Sequence, residues 1–238
     1  MKTFRASLFN VLFYTLTPIV GLLLLPACLG PRSWVCAVRD AWSRGVIALL
    51  GLVVGLRWRL AGEESMPDGP VLIACKHQSA WETIALQLFC RDPAVVLKQE
   101  LLKLPVIGWY LRRVGMVPID RSAGAGALKL MVKAAEERVA EGRPVVIFPQ
   151  GTRVAPGTEQ AYHPGVYALY RALNIPVVPI ALNSGQFWAR ESFMKYPGVI
   201  DVHVLEPIPP GLDRKSFMAR LEEVIETETG KLESAAAT

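Results

Sequence analysis

Histidine and cysteine are scarce in this chain of 238 residues, which contains three of the former and four of the latter. No two of the histidines (His77, His163 and His203) stand at the spacing of metal ligands, so the sequence predicts no metal site. The cysteines form no CxxC pair, which disfavours a disulfide framework and favours a reducing compartment. No serine or cysteine stands in a nucleophile-elbow context, which disfavours a covalent enzyme intermediate.

Charge is also missing from a long stretch near the N-terminus, because residues 6–31 contain no Asp, Glu, Lys or Arg. A membrane span needs about 20 apolar residues, and residues 8–29 are long enough. A second uncharged stretch, residues 45–56, has the length of an interfacial or re-entrant helix. We therefore expect residues 1–60 to form a membrane anchor and residues 61–238 the main domain, with a frayed tail from about residue 233.

Three arrangements of this N-terminal segment stay open from the sequence. Residues 8–29 could span the membrane, or both apolar stretches could form a helical hairpin in one leaflet, with Arg32, Arg39 and Arg44 at the lipid head groups. The third arrangement is a secretory signal, since residues 1–5 suit a basic n-region. The apolar stretch is longer than that of a usual signal, and a second one follows, which favours a retained anchor.

The basic excess lies in the same N-terminal segment. Residues 1–60 carry seven of the 26 basic side chains and one of the 21 acidic ones, so the remainder of the chain is close to neutral. A nucleic-acid binder would carry its positive charge on the folded domain. Basic residues beside apolar stretches suit an anionic membrane surface instead, where each contributes about 1 kcal/mol. We therefore expect membrane lipids, and no nucleic acid, as partners.

Strands and helices alternate along residues 61–238. Strands are predicted at 71–75, 94–97, 115–119, 145–148, 177–182 and 199–205. Helices are predicted at 79–90, 100–112, 128–141, 164–173 and 213–229. The uninterrupted apolar run at 145–148 is typical of a strand buried on both faces. This alternation predicts an α/β fold whose central mixed or parallel sheet is flanked by helices.

The main candidate for chemistry is the pair His77 and Glu82, just after the predicted strand 71–75. On a helix, residues five apart lie about 140° apart, so His77 must precede the helix. A neutral imidazole can accept a proton from a hydroxyl, and a carboxylate on its other nitrogen fixes the tautomer. Ser79 and Glu82 also match a capping box, so helix capping is an alternative and compatible role for Glu82.

Two further motifs each end a strand-like run with an arginine, at residues 115–121 and 148–153. The planar fork of arginine matches phosphate oxygens, which makes Arg121 and Arg153 candidate phosphate ligands. Within the second motif, Gly151 allows a close approach of the backbone and Thr152 adds a hydroxyl. The alternative for either arginine is a surface ion pair.

The order of these motifs resembles the four blocks of the glycerolipid acyltransferases, above all the bacterial 1-acyl-glycerol-3-phosphate acyltransferases. The blocks are His-x4-acid, Gly-x4-Asp-Arg, Phe-Pro-x-Gly-Thr-Arg and the apolar, proline-containing segment 175–180. The similarity covers about residues 65–210, and residues 98–108 resemble the linker between the first two blocks. The resemblance implies the α/β fold of that family and association with a membrane.

The resemblance also implies the roles of individual residues. His77 would be the general base and Glu82 its partner. The implied contacts to the phosphate of the acceptor are Arg121, Gly151, Thr152, Arg153 and, more weakly, Lys98. Two positions depart from the family: Glu82 stands where aspartate is usual, and Gln150 stands where glutamate is usual.

The implied reaction is acyl transfer to the free sn-2 hydroxyl of lysophosphatidic acid, which gives phosphatidic acid. The co-substrate would be an acyl thioester, either acyl-CoA or acyl carrier protein, with no cofactor. Because thioester donors are cytoplasmic, the resemblance implies the inner (cytoplasmic) membrane, with the domain facing the cytoplasm. Two alternatives stay open: another lyso-lipid acceptor such as a lyso-ornithine lipid, and a non-catalytic, membrane-docked lipid-binding protein.

Overall fold

The computed structural model describes residues 1–120 and 124–236, apart from the side chain of Ala125. The strands of this part of the chain are β1 (Leu56–Ala61), β2 (Leu72–Cys75), β3 (Ala94–Lys98), β4 (Val117–Ile119), β5 (Val145–Ile147), β6 (Val177–Leu182) and β7 (Gly198–Val204). They form one sheet in the order β1-β7-β6-β2-β5-β3-β4. Neighbouring strands are parallel except for β6 and β7, which are antiparallel. The predicted α/β fold with a mixed sheet is confirmed.

Helices cover both faces of the sheet. They are α1 (Lys2–Leu23), α2 (Arg32–Leu49), α3 (Trp81–Phe89), α4 (Ile107–Arg113), α5 (Gly124–Ala140), α6 (Gly165–Leu173) and α7 (Arg214–Ala236). Side chains of α1, α2 and α3 pack on one face with Ile73 of β2, and side chains of α5, α6 and α7 pack on the other with Leu72. Successive residues of a strand point to opposite faces, so a strand covered on both sides must be apolar throughout.

The strand β1 is absent from the sequence-based prediction. Its sequence, Leu-Arg-Trp-Arg-Leu-Ala, alternates between buried and accessible positions, and it pairs in parallel with β7. It therefore belongs to the sheet of the main domain. All of its residues except the last lie within residues 1–60, which the sequence-based prediction assigned to the membrane anchor. Gly62 follows it with φ +78°, and a Cβ there would lie 2.1 Å from the carbonyl oxygen of Val204. At the other end of the chain, α7 continues through residues 233–236, which the sequence places in a frayed tail.

Helices α1 and α2 form a pair that is attached to the domain by ion pairs. The indole nitrogen of Trp42 donates to Thr17 Oγ1 at 3.3 Å between the two helices. Asp92 accepts from Arg32 at 2.8 Å and from Arg39 at 3.2 Å. The hairpin arrangement places these two arginines at lipid head groups, and in the structure both also contact a carboxylate of the domain. The apolar stretch 45–56 is the end of α2, one wider helical turn and the start of β1, and not a separate helix.

A second attachment joins α1 to the loop between β6 and β7. Asn10 of α1 donates to the carbonyl of Phe193 at 2.9 Å and accepts from Lys195 Nζ at 2.8 Å. Lys195 is 2% exposed, and its ammonium also lies 5.1 Å from the centre of a Trp188 ring. Among residues 1–120 and 124–236, α1 is the one helix with the length and hydropathy to cross a membrane. This loop is therefore fastened to the helix that is long and apolar enough to cross a membrane.

The buried ammonium predicts a particular dependence of stability on pH. Burial lowers the pKa of Lys195 to about 8, and an unfolded lysine titrates near 10.4. Between these values the unfolded chain binds a proton that the folded chain has lost, so the free energy of unfolding rises with pH. Denaturation in detergent at pH 7.5 to about 10 should show this rise, and Lys195→Met should flatten it. Lys133→Met, at an exposed position of α5, is the control; an unchanged slope in Lys195→Met contradicts the prediction.

Candidate active site

The loop between β2 and α3 places His77 and Glu82 in contact. His77 lies two residues beyond the end of β2, and Glu82 lies in the first turn of α3. The Nδ1 atom of His77 is 2.8 Å from Oε1 of Glu82. Because an ionised carboxylate can only accept hydrogen bonds, Nδ1 carries the proton of the neutral ring. The lone pair of Nε2 is then free to accept a proton from a substrate.

Glu82 is fully buried and has a complete set of donors. Its Oε1 accepts from the backbone N–H groups of Gln78 and Ser79, each at 2.6 Å, as well as from His77. Its Oε2 accepts from the hydroxyl of Ser184 at 2.8 Å. A buried carboxylate is tolerated only when it is paired and hydrogen-bonded in this way. These bonds fix the carboxylate, and through it the orientation of the imidazole.

The structure shows only part of the helix cap that the sequence suggested. Glu82 accepts from the N–H of Ser79, as in one half of a capping box. The N-cap residue of α3 is Ala80, however, and it makes no side-chain capping bond. The other half differs from the expected geometry, because the Ser79 hydroxyl accepts from the N–H of Trp81, at 3.1 Å, and not from that of Glu82. Helix α3 begins at Trp81, two residues later than the sequence predicted. One carboxylate therefore bonds to the backbone of the turn before α3 and also orients His77.

The loop after β5 holds His77 from a second side. The ring of Phe148 stacks on the imidazole with the ring centres 4.0 Å apart. The backbone N–H of His77 donates to Oε1 of Gln150 at 3.0 Å, and its carbonyl accepts from the N–H of Val154 at 2.8 Å. The backbone of His77 is thus bonded on both sides by the Phe-Pro-x-Gly-Thr-Arg segment and the residue after it. The parallel order β6-β2-β5 brings these loops together, because the ends of parallel strands meet at one edge.

His77 lines a cavity of about 1190 Å³. Much of its wall is apolar and comes from helices far apart in sequence, including Phe13 and Val20 of α1, Trp42 of α2 and Ile84 of α3. Polar side chains also border it, among them Lys98, Thr152, Arg153 and Arg190. A single space therefore offers the imidazole, an apolar wall and several cations.

The structure brings Lys98, Gly151, Thr152 and Arg153 to the cavity that His77 lines. Arg121, the other arginine of the sequence-based prediction, lies outside the described residues. Gly151 adopts φ +67°, and its N–H donates to the carbonyl of Phe148 at 2.9 Å. That amide is used within the turn, so the contribution of Gly151 is the left-handed backbone that directs Thr152 and Arg153 toward the cavity.

Arg190 is a cavity residue that the sequence did not single out. It lies in the loop between β6 and β7, where its Nη1 donates to Thr152 Oγ1 at 3.3 Å and its Nε contacts Glu191 at 3.0 Å. No strand end or motif surrounds Arg190 in the sequence, so no local signal marks it. Within residues 1–120 and 124–236, no group of three or more His, Cys, Asp and Glu side chains is placed to hold a metal ion.

Comparison with known proteins gives relatives of one kind. The chain is 42% identical over 161 residues to a 1-acyl-sn-glycerol-3-phosphate acyltransferase of Pseudomonas aeruginosa, a match that covers 68% of this chain and 63% of that protein. It is 26% identical over 164 residues to a protein of the same name from Saccharomyces cerevisiae, covering 67% of this chain and 54% of that one. The matches thus span less than two thirds of the length of these relatives.

A solved structure has the same fold. It is the 1-acyl-sn-glycerophosphate (LPA) acyltransferase PlsC from Thermotoga maritima, with a TM-score of 0.79, 21% sequence identity and 98% of both chains covered. The Acyltransferase family model matches residues 57–183, more than half of the chain. That range contains His77, Glu82 and the loop after β5 that holds the histidine. The chain belongs to the acyltransferase family.

Proposed function

We propose that this protein transfers an acyl group from an acyl thioester to the free sn-2 hydroxyl of 1-acyl-glycerol-3-phosphate, giving phosphatidic acid for phospholipid synthesis. The observation that carries the proposal is the His77–Glu82 pair, 2.8 Å apart, on the wall of a cavity that is apolar and also bordered by cations. Such a cavity suits a substrate with an acyl chain and a phosphate. The names of the relatives from Pseudomonas and yeast support this choice of acceptor.

The proposed mechanism is a direct attack. Nε2 of His77 takes the proton of the acceptor hydroxyl while its oxygen attacks the thioester carbonyl. The tetrahedral intermediate then collapses, the C–S bond breaks, and the leaving thiolate receives the proton from the imidazolium. Glu82 stabilises the imidazolium between the two transfers. Orientation of both substrates in one cavity supplies much of the rate.

The two ends of the acceptor would occupy different parts of the cavity. We assign its phosphate to polar side chains that line the cavity, namely Thr152, Arg153, Arg190 and Lys98. Arg121 is a further ligand predicted from the sequence. The acyl chains would lie along the apolar wall formed by α1, α2 and α3. A volume of about 1190 Å³ exceeds the usual size of a small-molecule pocket, about 300–1000 Å³, and suits long aliphatic chains.

We propose that the N-terminal segment anchors the protein to the inner membrane through its helices α1 and α2, whereas its last residues belong to β1 of the sheet. Exposed apolar side chains of α1, such as Phe4, Val11 and Leu23, support an interaction with lipid. Because α1 also lines the cavity, an acceptor could enter from the membrane without crossing water. The domain would face the cytoplasm, where either acyl-CoA or acyl carrier protein presents the thioester.

Replacing His77 tests the proposed base. In His77→Ala no imidazole remains to accept the hydroxyl proton, and we expect transfer to fall about 10³-fold. Glu82→Gln keeps the shape but loses the charge that stabilises the imidazolium, so a large loss is expected there too. The assay is purified protein with lysophosphatidate and a labelled acyl donor.

The control for this experiment is His203→Ala, which removes a histidine that pairs with Glu228 at 2.9 Å on α7. That variant should keep the wild-type rate. Equal product from wild type and His77→Ala would refute the proposed base. No product from either protein would favour a non-catalytic, lipid-binding role.

Replacing Arg190 tests the assigned phosphate end. Loss of one charged hydrogen bond lowers binding affinity about tenfold. Arg190→Ala should therefore raise the KM for lysophosphatidate about tenfold, with little change in kcat. An acceptor panel that includes monoacylglycerol provides the comparison, because the substitution should not affect a phosphate-free acceptor.

Arg171→Ala, at an exposed position of α6, is the matched control for the loss of a positive charge. An equal effect of Arg190→Ala on both acceptors would argue against a phosphate contact. A strong preference of the wild-type protein for a phosphate-free lyso-lipid would contradict the proposed acceptor itself.

A further inference from the structure

Gln150 lies behind His77, and its side-chain amide connects the histidine to the C-terminal helix. The residue is fully buried. Its Oε1 accepts from the backbone N–H of His77 at 3.0 Å, and its Nε2 donates to Oε1 of Glu226 on α7 at 3.3 Å. The sequence marks neither bond, and the proposed mechanism uses neither Gln150 nor Glu226.

A side-chain amide has one end that accepts and one end that donates, so its partners decide its orientation. The N–H of His77 needs an acceptor. The carboxylate of Glu226 can only accept, and it therefore selects the orientation in which Nε2 faces α7 and Oε1 faces His77. Without that carboxylate, the NH₂ group would lose its acceptor on α7, and the amide would be held only at the end that faces His77.

Glu226 is itself held by two buried donors. The hydroxyl of Tyr162 donates to Oε1 of Glu226 at 2.8 Å, and the ammonium of Lys76 pairs with its Oε2. Lys76 is 2% exposed and directly precedes His77 in the chain. Burial, together with the charge of Glu226, raises the pKa of Tyr162, so its hydroxyl stays protonated and remains a donor.

We propose that Glu226 is a positioning residue, which fixes the amide of Gln150 and thereby the backbone of His77. The inference rests on the proposed function, in which Nε2 of His77 must meet the acceptor hydroxyl. A shift of the His77 backbone would move that nitrogen, and catalysis is sensitive to displacements below the size of an atom. The carboxylate that the family usually has at position 150 is, in this chain, supplied from α7.

A reciprocal exchange of the two side chains tests this inference. In Gln150→Glu, two carboxylates face each other where the amide and Glu226 now meet. In Glu226→Gln, the new amide must direct its NH₂ group either at the buried Lys76 ammonium or at Nε2 of Gln150. In the double variant, the carboxylate introduced at position 150 accepts on both sides. The amide introduced at position 226 donates to that carboxylate while its oxygen faces Lys76.

We expect each single variant to lower kcat about tenfold, which is the size of the coupling found between groups of one hydrogen-bond network. The KM values should stay within about twofold of wild type. The double variant should return to within about threefold of the wild-type kcat. Glu228→Gln is the control on the same helix, because it breaks the pairs with His203 and Lys231 and should leave kcat unchanged.

A second measurement reports the hydrogen bond directly and needs no substrate. Hydrogen exchange at the amide of His77 should be faster in both single variants and slow again in the double variant, because Gln150 is the acceptor of that N–H. If the wild-type protein does not acylate lysophosphatidate but the variants show this exchange pattern, the proposed function is contradicted. The hydrogen-bond network of Gln150 and Glu226 is then still supported.

Three results would overturn the inference. The first is a wild-type kcat in both single variants. The second is a double variant whose loss of kcat equals the product of the two single losses. The third is a hydrogen-exchange pattern that changes among the variants while the kcat of the folded proteins does not. The last result would leave Glu226 with a purely structural role.

Discussion

A carboxylate with no exposed surface must find hydrogen-bond donors within the protein, and Glu82 does so with four groups from two loops. Two donors are backbone amides of the turn after β2, so the path of that turn is determined by the carboxylate. A third, Ser184, follows β6, the strand beside β2. The fourth is the imidazole. The position of His77, the turn before α3 and the contact between the loops after β2 and β6 therefore all depend on one buried charge.

Partly buried hydrogen bonds connect the same site to the first and last helices of the described chain. Glu226 of α7 reaches His77 through Gln150. Asn10 of α1 holds the loop between β6 and β7, and Arg190 of that loop contacts Thr152 beside the cavity. Displacement of α1 would thus disturb both the apolar wall of the cavity and the position of one of its cations. The first helix lines the cavity and the last helix contacts Gln150, although both are far in sequence from His77.

The sequence predicted the central strands well but missed β1, the strand at one edge of the sheet. Strands β2, β5 and β6 are buried on both faces, and their unbroken apolar residues indicate this locally. Strand β1 lies at the edge, with Arg57 and Arg59 at accessible positions, and its pairing partner β7 is about 140 residues away. The contact between His77 and Glu82 could be predicted because they lie five residues apart, whereas Arg190 and Glu226 acquire their neighbours only through the tertiary fold.

The two departures from the family pattern, Glu82 and Gln150, acquire a physical meaning once their partners are known. At position 82 the charge is kept, and the longer side chain accepts from two successive backbone amides as well as from His77. At position 150 the charge is lost, and a carboxylate from α7 faces the amide that replaced it. A motif compared one position at a time records only one end of each hydrogen bond. If Glu226 holds Gln150 as proposed, the effect of glutamine in place of glutamate at position 150 depends on residue 226, which lies outside every motif and 76 positions further along the chain.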